Sequence, residues 1–186
     1  MKNAVDMMLL EIADDDVARH CWRVAEFSGD LSTHMGLSAE TATLATLSGV
    51  LHDIGKRSIP KSVLDKPGPL TEAEWVVMRT HPHRGYEMIL GDVHPDVADT
   101  VRSHHERFDG RGYPRGLAGQ AIPIAARVLL VADAYDAMTT VRPYQGAMSW
   151  QAALTELRMY AGYQFDPDVV EAMVDMVKES KAVYAA

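Results

Sequence analysis

Ile124-Ala125-Ala126-Arg127-Val128-Leu129-Leu130-Val131-Ala132-Asp133-Ala134-Tyr135-Asp136 is the stretch whose reading decides the fold. Ile122-Pro123 leads into it, and Ile124, Val128, Leu129, Val131 and Ala132 make it a strongly apolar helix. Asp133 and Asp136 interrupt that helix three residues apart, so they share a face. A carboxylate inside an apolar helix is costly unless it is paired or bound to metal. A buried salt bridge or a cap is the plain alternative for Asp133.

Upstream lies His104-His105-Glu106-Arg107-Phe108-Asp109-Gly110-Arg111-Gly112-Tyr113-Pro114. Two adjacent imidazoles, the commonest metal ligands at neutral pH, precede a loop that its glycines and proline make tight and irregular. A helix opened by His94-Pro95-Asp96, with Val97 and Val101 inward, delivers the pair. Further back, Thr71 and Glu74 have capping-box spacing for a short helix through Trp75 and Met78. Pro82 in His81-Pro82-His83 suits the first turn of the next helix, which is expected to run to Gly91. His83 reads as facing water, and His34 and His94 as surface residues without partners.

Nearer the start, a helical period joins Val17, Cys21, Val24, Phe27, Leu31 and Met35, with His20 one residue from the stripe. Asp16 lies one turn before His20, and Asp14-Asp15-Asp16 also favours a helix N-terminus. Ser38 caps a second helix through Leu44, Leu47, Val50 and Leu51 that is expected to end near Gly55, in His52-Asp53-Ile54-Gly55-Lys56. On such a helix the side chains at 52 and 53 diverge by about 100°, yet both can flank one metal. Pro67-Gly68-Pro69 marks the clearest loop. Beyond the apolar helix, Ser149 opens a helix that packs Leu154 and Leu157. Asp166-Pro167 opens the last one, through Val170, Met173 and Val177. Met7, Met8, Met159, Met173 and Met176 read as core filler. The reading is all-α, with 1–186 as a single domain in which 1–15 is a leading helix or a linker.

The 186 residues are 47% hydrophobic and 24% charged, an ordinary composition with enough chain for a sizeable core. No apolar run approaches the about 20 residues that span a bilayer, so no membrane insertion is expected. The start offers no small-residue cleavage site. Cys21 is the single cysteine, which excludes an internal disulfide and fits a reducing cytoplasm, the expected location. A net charge of -8 argues against a partner of duplex nucleic acid.

His20, His52, Asp53, His81, His104, His105 and Asp133 all fall near ends or inward faces of successive helices, as in bundles that build metal sites between helices. Taken singly, each has an ordinary reading as a packed, capping or solvated residue. Taken together, a nitrogen-rich set with two carboxylates exceeds what one metal needs, and fits two octahedral transition ions bridged by Asp53 and a hydroxide.

The chain resembles the HD-GYP phosphodiesterases, a branch of the HD-domain metal phosphohydrolases, over nearly its whole length. The resemblance rests on Leu51-His52-Asp53-Ile54-Gly55-Lys56, Lys66-Pro67-Gly68-Pro69-Leu70-Thr71, His81-Pro82 with Gly85, and His104-His105-Glu106 with Asp109-Gly110 and Gly112-Tyr113-Pro114. It continues in Ala132-Asp133-Ala134-Tyr135-Asp136-Ala137-Met138-Thr139, Arg142-Pro143-Tyr144 and Gln164-Phe165-Asp166-Pro167. It implies a helical bundle of the HD-domain type with a metal centre between helices, holding two divalent transition metals, iron or manganese. The seven residues above are the implied ligands. Some members hold a third metal with a glutamate where this chain has Asp16, one methylene shorter, which leaves the count at two or three.

The implied reaction is hydrolysis of cyclic di-GMP to linear pGpG, with GMP as a further product. A metal-bridging hydroxide attacks phosphorus, and the ribose 3′-oxygen leaves. Lys56 is then the cation beside the scissile phosphate, as donor or charge stabiliser, while Tyr113 and Arg142 contact the dinucleotide. Gln145 stands where many members have a basic residue, removing one phosphate contact. Glu106, Asp109 and Asp136 are expected to orient the imidazoles or the loop. Two alternatives accompany this reading: hydrolysis of another cyclic dinucleotide such as cyclic GMP-AMP, and a non-catalytic module that binds a nucleotide or a partner. A diguanylate cyclase, a sensor protein and a second copy in a homodimer are the protein partners considered.

Overall fold

The computed structural model describes residues 16–141 and 146–183. The expectations for 1–15, including Met7 and Met8, and for Arg142-Pro143-Tyr144 and Gln145 lie outside the described residues, as does the side chain of Asp16. Among the described residues the regular elements are helices, in agreement with the all-α reading. In chain order they are α1 (Asp16–His34), α2 (Ala39–Leu51), α3 (Lys61–Leu64), α4 (Glu72–Met78), α5 (His81–Ile89), α6 (Pro95–Ser103), α7 (Ile124–Thr139), α8 (Trp150–Met159) and α9 (Pro167–Val183). Short 3-10 turns occupy Ile54–Ser58 and Gly119–Ala121.

The caps fall where the side chains demand them. Ser38 accepts from the Thr41 amide and Ser149 from the Ala152 amide, each satisfying one of the donors a helix start leaves open. Thr71 and Glu74 complete the capping box of α4 reciprocally. Asp166 accepts from the Asp168 amide, with Pro167 as the first residue of α9. His94, expected to lack a partner, instead caps α6 by accepting from the Asp96 amide.

Helix α7 is apolar almost all round, and such a helix has to be enclosed by others. It contacts α1, α2, α6, α8 and α9. Val128, Leu129, Val131 and Ala132 are fully buried in a core with Val24, Leu31, Leu154, Leu157, Val170 and Met173. A smaller core joins Ala25 of α1 to Val50 and Leu51 of α2, Ile54, Ile89 of α5, and Val97, Ala98 and Val101 of α6. Leu129→Ala in such a place costs about 2–5 kcal/mol. Val17, Leu47 and Met159, expected inward, are exposed. A helical period marks a face, and cannot tell where along that face the covering helix ends.

Two close approaches shape the polar region between these elements. A Cβ on Gly55 would stand 1.9 Å from the His81 carbonyl oxygen and 2.5 Å from the Gly85 amide nitrogen. Only glycine lets the turn after α2 lie directly on the first turn of α5. A Cβ on Gly112 would meet the Arg107 nitrogen at 2.2 Å and the His105 oxygen at 2.6 Å, so the loop after α6 folds back tightly over its own start.

Candidate metal centre

Helix ends deliver most of the polar residues. Helix α2 stops at Leu51, earlier than the sequence reading placed it, and His52 is its C-cap. Asp53 has already left helical geometry, so the two side chains are not spaced around a helix but lie together on one side, with His52 Nε2 3.5 Å from Asp53 Oδ2. His81 opens α5, His104 is the C-cap of α6, and His105 follows it. His20 lies on α1 and Asp133 on α7.

Two groups of candidate ligands result, His81 with His104 and His105, and His20 with His52 and Asp133. The ligand atoms within each group lie within 4.8 Å of one another. Asp53 stands between them, Oδ2 toward His52 and Oδ1 3.5 Å from His81 Nε2. All seven residues singled out from the sequence are thus brought together. Lys56 flanks Asp53, its Nζ 2.6 Å from Asp53 Oδ2. Burial disfavours the Asp53 charge, but the Lys56 ammonium beside it outweighs that and holds the carboxyl well below its usual range. Burial likewise opposes the Lys56 charge, and Asp53 more than restores it, so the ammonium titrates above its ordinary value.

Three histidines share one local device. Each Nδ1–H donates to the carbonyl three residues back: His52 to Gly49 at 2.7 Å, His81 to Met78 at 2.8 Å, and His104 to Val101 at 2.6 Å. A carbonyl oxygen can only accept, so each Nδ1 carries a hydrogen and each Nε2 is left to face the cluster. Burial and neighbouring imidazoles hold His104 far below its usual pKa, and burial also lowers His81 and brings His105 down to about 4. His81 and His104 therefore present lone pairs to each other across 3.3 Å, with no proton to share. His52 Nε2 is buried with no hydrogen-bond partner among the described residues.

His20 is held differently. Its Nε2 lies 3.2 Å from Asp133 Oδ1 and its Nδ1 2.7 Å from Asp136 Oδ2. Burial opposes its charge, but the two carboxylates prevail and raise its pKa to about 9. Arg23, which the sequence reading passed over, grips Asp136 from Nε at 2.6 Å and from Nη2 at 3.0 Å. It lies one turn after His20, a spacing that could have drawn attention to it.

Of the supporting carboxylates, Asp136 does orient an imidazole. Glu106 and Asp109 hold the loop, the other of the two roles expected of these carboxylates. Buried Glu106 accepts from the Arg115 amide at 2.6 Å and the Leu117 amide at 3.0 Å. Asp109 pairs with Arg107 and accepts from the Arg111 amide. The loop so held lays the Tyr113 ring 4.9 Å from the His105 ring. Arg79, also unnoticed in the sequence, stands 5.9 Å from the Tyr113 ring centroid. His83, expected in water, is half-buried and stacks on Tyr86. Asp133 keeps 20% of its side chain exposed and Lys56 35%, whereas His52 keeps 1%, so the cluster opens on the Lys56 side.

The model of the family described as HD domain matches residues 5–169 of the chain. The cyclic di-GMP phosphodiesterase response regulator RpfG of Xanthomonas campestris is 42% identical over 168 residues, covering 89% of this chain and 44% of its own. The 3'3'-cGAMP-specific phosphodiesterase 1 of Vibrio cholerae is 38% identical over 143 residues, covering 75% of this chain and 33% of its own. This chain thus spans less than half the length of these curated relatives. A crystal structure of a cyclic GMP-AMP-specific phosphodiesterase of V. cholerae superposes with a TM-score of 0.71 at 20% identity, over 92% of this chain and 47% of that one, a likeness of fold. Among the described residues no helix is long and apolar enough to cross a membrane.

Proposed function

Because the chain belongs to the HD domain family, we propose that it is a metal-dependent phosphodiesterase that hydrolyses cyclic di-GMP to linear pGpG. The observation that carries this reading is the Asp53 carboxylate between two groups of inward candidate ligands, one atom of which, His52 Nε2, meets no hydrogen-bond partner among the described residues. Two ligand nitrogens on adjacent positions of one ion stand about 3 Å apart at ordinary bond lengths, so the 3.3 Å His81–His104 contact suits a shared cation and is repulsive without one. His81, His104 and His105 would hold one ion, His20, His52 and Asp133 a second, and Asp53 both. Imidazole with carboxylate suits iron or manganese. Such ions supply Lewis acidity toward phosphoryl oxygens and lower the pKa of water.

The chain's own groups do the rest. Lys56, kept protonated by Asp53 at the open side, would neutralise a phosphoryl oxygen and can deliver its Nζ proton to the departing ribose 3′-oxygen. Asp136, held by Arg23, would keep the His20 ring oriented through Nδ1. Tyr113 offers an aromatic face beside His105 to the nucleotide. Arg142 is proposed as a second phosphate contact from its position in the sequence, and location in the cytoplasm from composition.

The test is product analysis by chromatography with the purified chain loaded with manganese. Cyclic di-GMP should disappear with pGpG as first product, and a chelator should stop the reaction. Cyclic di-GMP left intact by the loaded protein contradicts the reading. The cGAMP-specific relative supports a second substrate, cyclic GMP-AMP, and a direct competition assay ranks the two.

A further inference from the structure

Helix α4 is an outlying element, with no buried residue along its length. Trp75, Val76 and Val77 are exposed on it. What fixes it is its N-terminus: Lys66 Nζ lies 2.6 Å from Glu74 Oε2, the same oxygen that accepts from the Thr71 amide in the capping box. At the other end its C-cap is Arg79. The Arg79 guanidinium carbon lies 5.7 Å from the Trp75 ring centroid and 5.9 Å from that of Tyr113. Tyr113 in turn lies 4.9 Å from His105. A row of flat groups, His105, Tyr113, Arg79 and Trp75, therefore runs from the candidate ligands out to solvent.

An arginine within cation–π distance of two aromatic rings is favoured in that position, while its edge donors stay available. Among the described residues Arg79 has no carboxylate partner. An unpaired fork held near two rings beside a phosphodiester site matches an edge with two adjacent acceptors. Guanine presents O6 and N7 in that arrangement, whereas adenine sets an amino donor beside N7. Phosphate binding alone would not require the bracing rings, and exposed Trp75 adds a stacking face that any base can use.

Resting on the hydrolase reading above, we infer that Arg79, braced by Trp75 and Tyr113, is a specificity-determining residue that reads the O6/N7 edge of a guanine in the substrate. The Lys66–Glu74 pair and the capping box of α4 hold it in place for that task.

The test is kcat/KM for cyclic di-GMP and cyclic di-AMP, measured separately with the manganese-loaded full chain and its Arg79→Lys and Arg79→Ala variants. Circular dichroism and metal content serve as folding controls. The wild type should favour cyclic di-GMP. Arg79→Lys keeps the charge but loses the fork, and should lower the preference about tenfold, mainly through the KM of cyclic di-GMP, with Arg79→Ala at least as affected. An unchanged preference in both variants overturns the inference while the hydrolase reading stands. So does a fall in kcat with the preference intact, which would assign Arg79 to supporting Tyr113. A wild type that cleaves neither dinucleotide removes the hydrolase reading, and this inference with it.

Discussion

In the group formed by His81, His104 and His105, two of the three rings are pinned by backbone carbonyls at helix ends, and all three have pKa values pushed down. In the group formed by His20, His52 and Asp133, His20 is instead fixed by carboxylates on both nitrogens, and its pKa is pushed up to about 9. The first group offers lone pairs as folded, so a cation meets nothing it must displace. In the second, His20 Nε2 faces the Asp133 carboxylate at 3.2 Å, and the carboxylates around the ring favour its charged form. His52, though it belongs to the second group, is pinned by a carbonyl like His81 and His104, so secondary structure prepares three of the rings and charge prepares His20. Asp53 belongs to both, and Lys56 balances its charge.

The largest effect should come from removing what joins the halves. Asp53→Ala leaves Lys56 unpaired and the two groups unconnected, and is expected to lower turnover of cyclic di-GMP by about three orders of magnitude. Turnover within tenfold of wild type would mean that the groups act without their link. A smaller loss should separate the halves: Asp136→Asn takes the charged acceptor from His20 and leaves the carbonyl-pinned rings untouched. It should weaken one class of metal site about 10- to 100-fold and spare the other, as read by calorimetric titration. Equal weakening of both classes would erase the distinction.

The smallest effect, and the sharpest view of the contrast, is in the metal-free protein. His20, raised above its unfolded value, adds stability that is complete below pH 6.5 and lost as pH rises through about 9. His105, lowered, has the opposite sign: its contribution is complete above pH 6.5 and is lost as pH falls toward about 4. Imidazole nitrogen shifts in NMR spectra should therefore show His20 protonated and His105 neutral at pH 7. The reverse pattern would contradict the assignment of the two devices.

Much of this was readable from residues alone, for local reasons. Ser38, Thr71 with Glu74, Ser149, and Asp166 with Pro167 announce helix starts because a cap acts within three residues of itself. Asp133 stood out because charge in an apolar helix needs a partner. What escaped depends on contacts between distant segments. The early end of α2 at Leu51, which turns Asp53 between the two groups, is set by packing of Gly55 on α5. Arg23 reaches a carboxylate 113 positions away, and Arg79 a ring on another loop, so neither partner could be inferred from neighbours in sequence. Which of its two expected roles Glu106 takes, imidazoles or loop, depends on the fold-back of that loop, where its oxygens meet the amides of Arg115 and Leu117.

The central claim is that the two groups and Asp53 together hold metal. Elemental analysis of the chain purified without added metal, alongside its Asp53→Ala variant, addresses it most directly. The account predicts about two equivalents of a divalent transition metal per chain, with iron or manganese foremost, and a marked loss in the variant. A wild type that hydrolyses cyclic di-GMP with far less than one equivalent would contradict it.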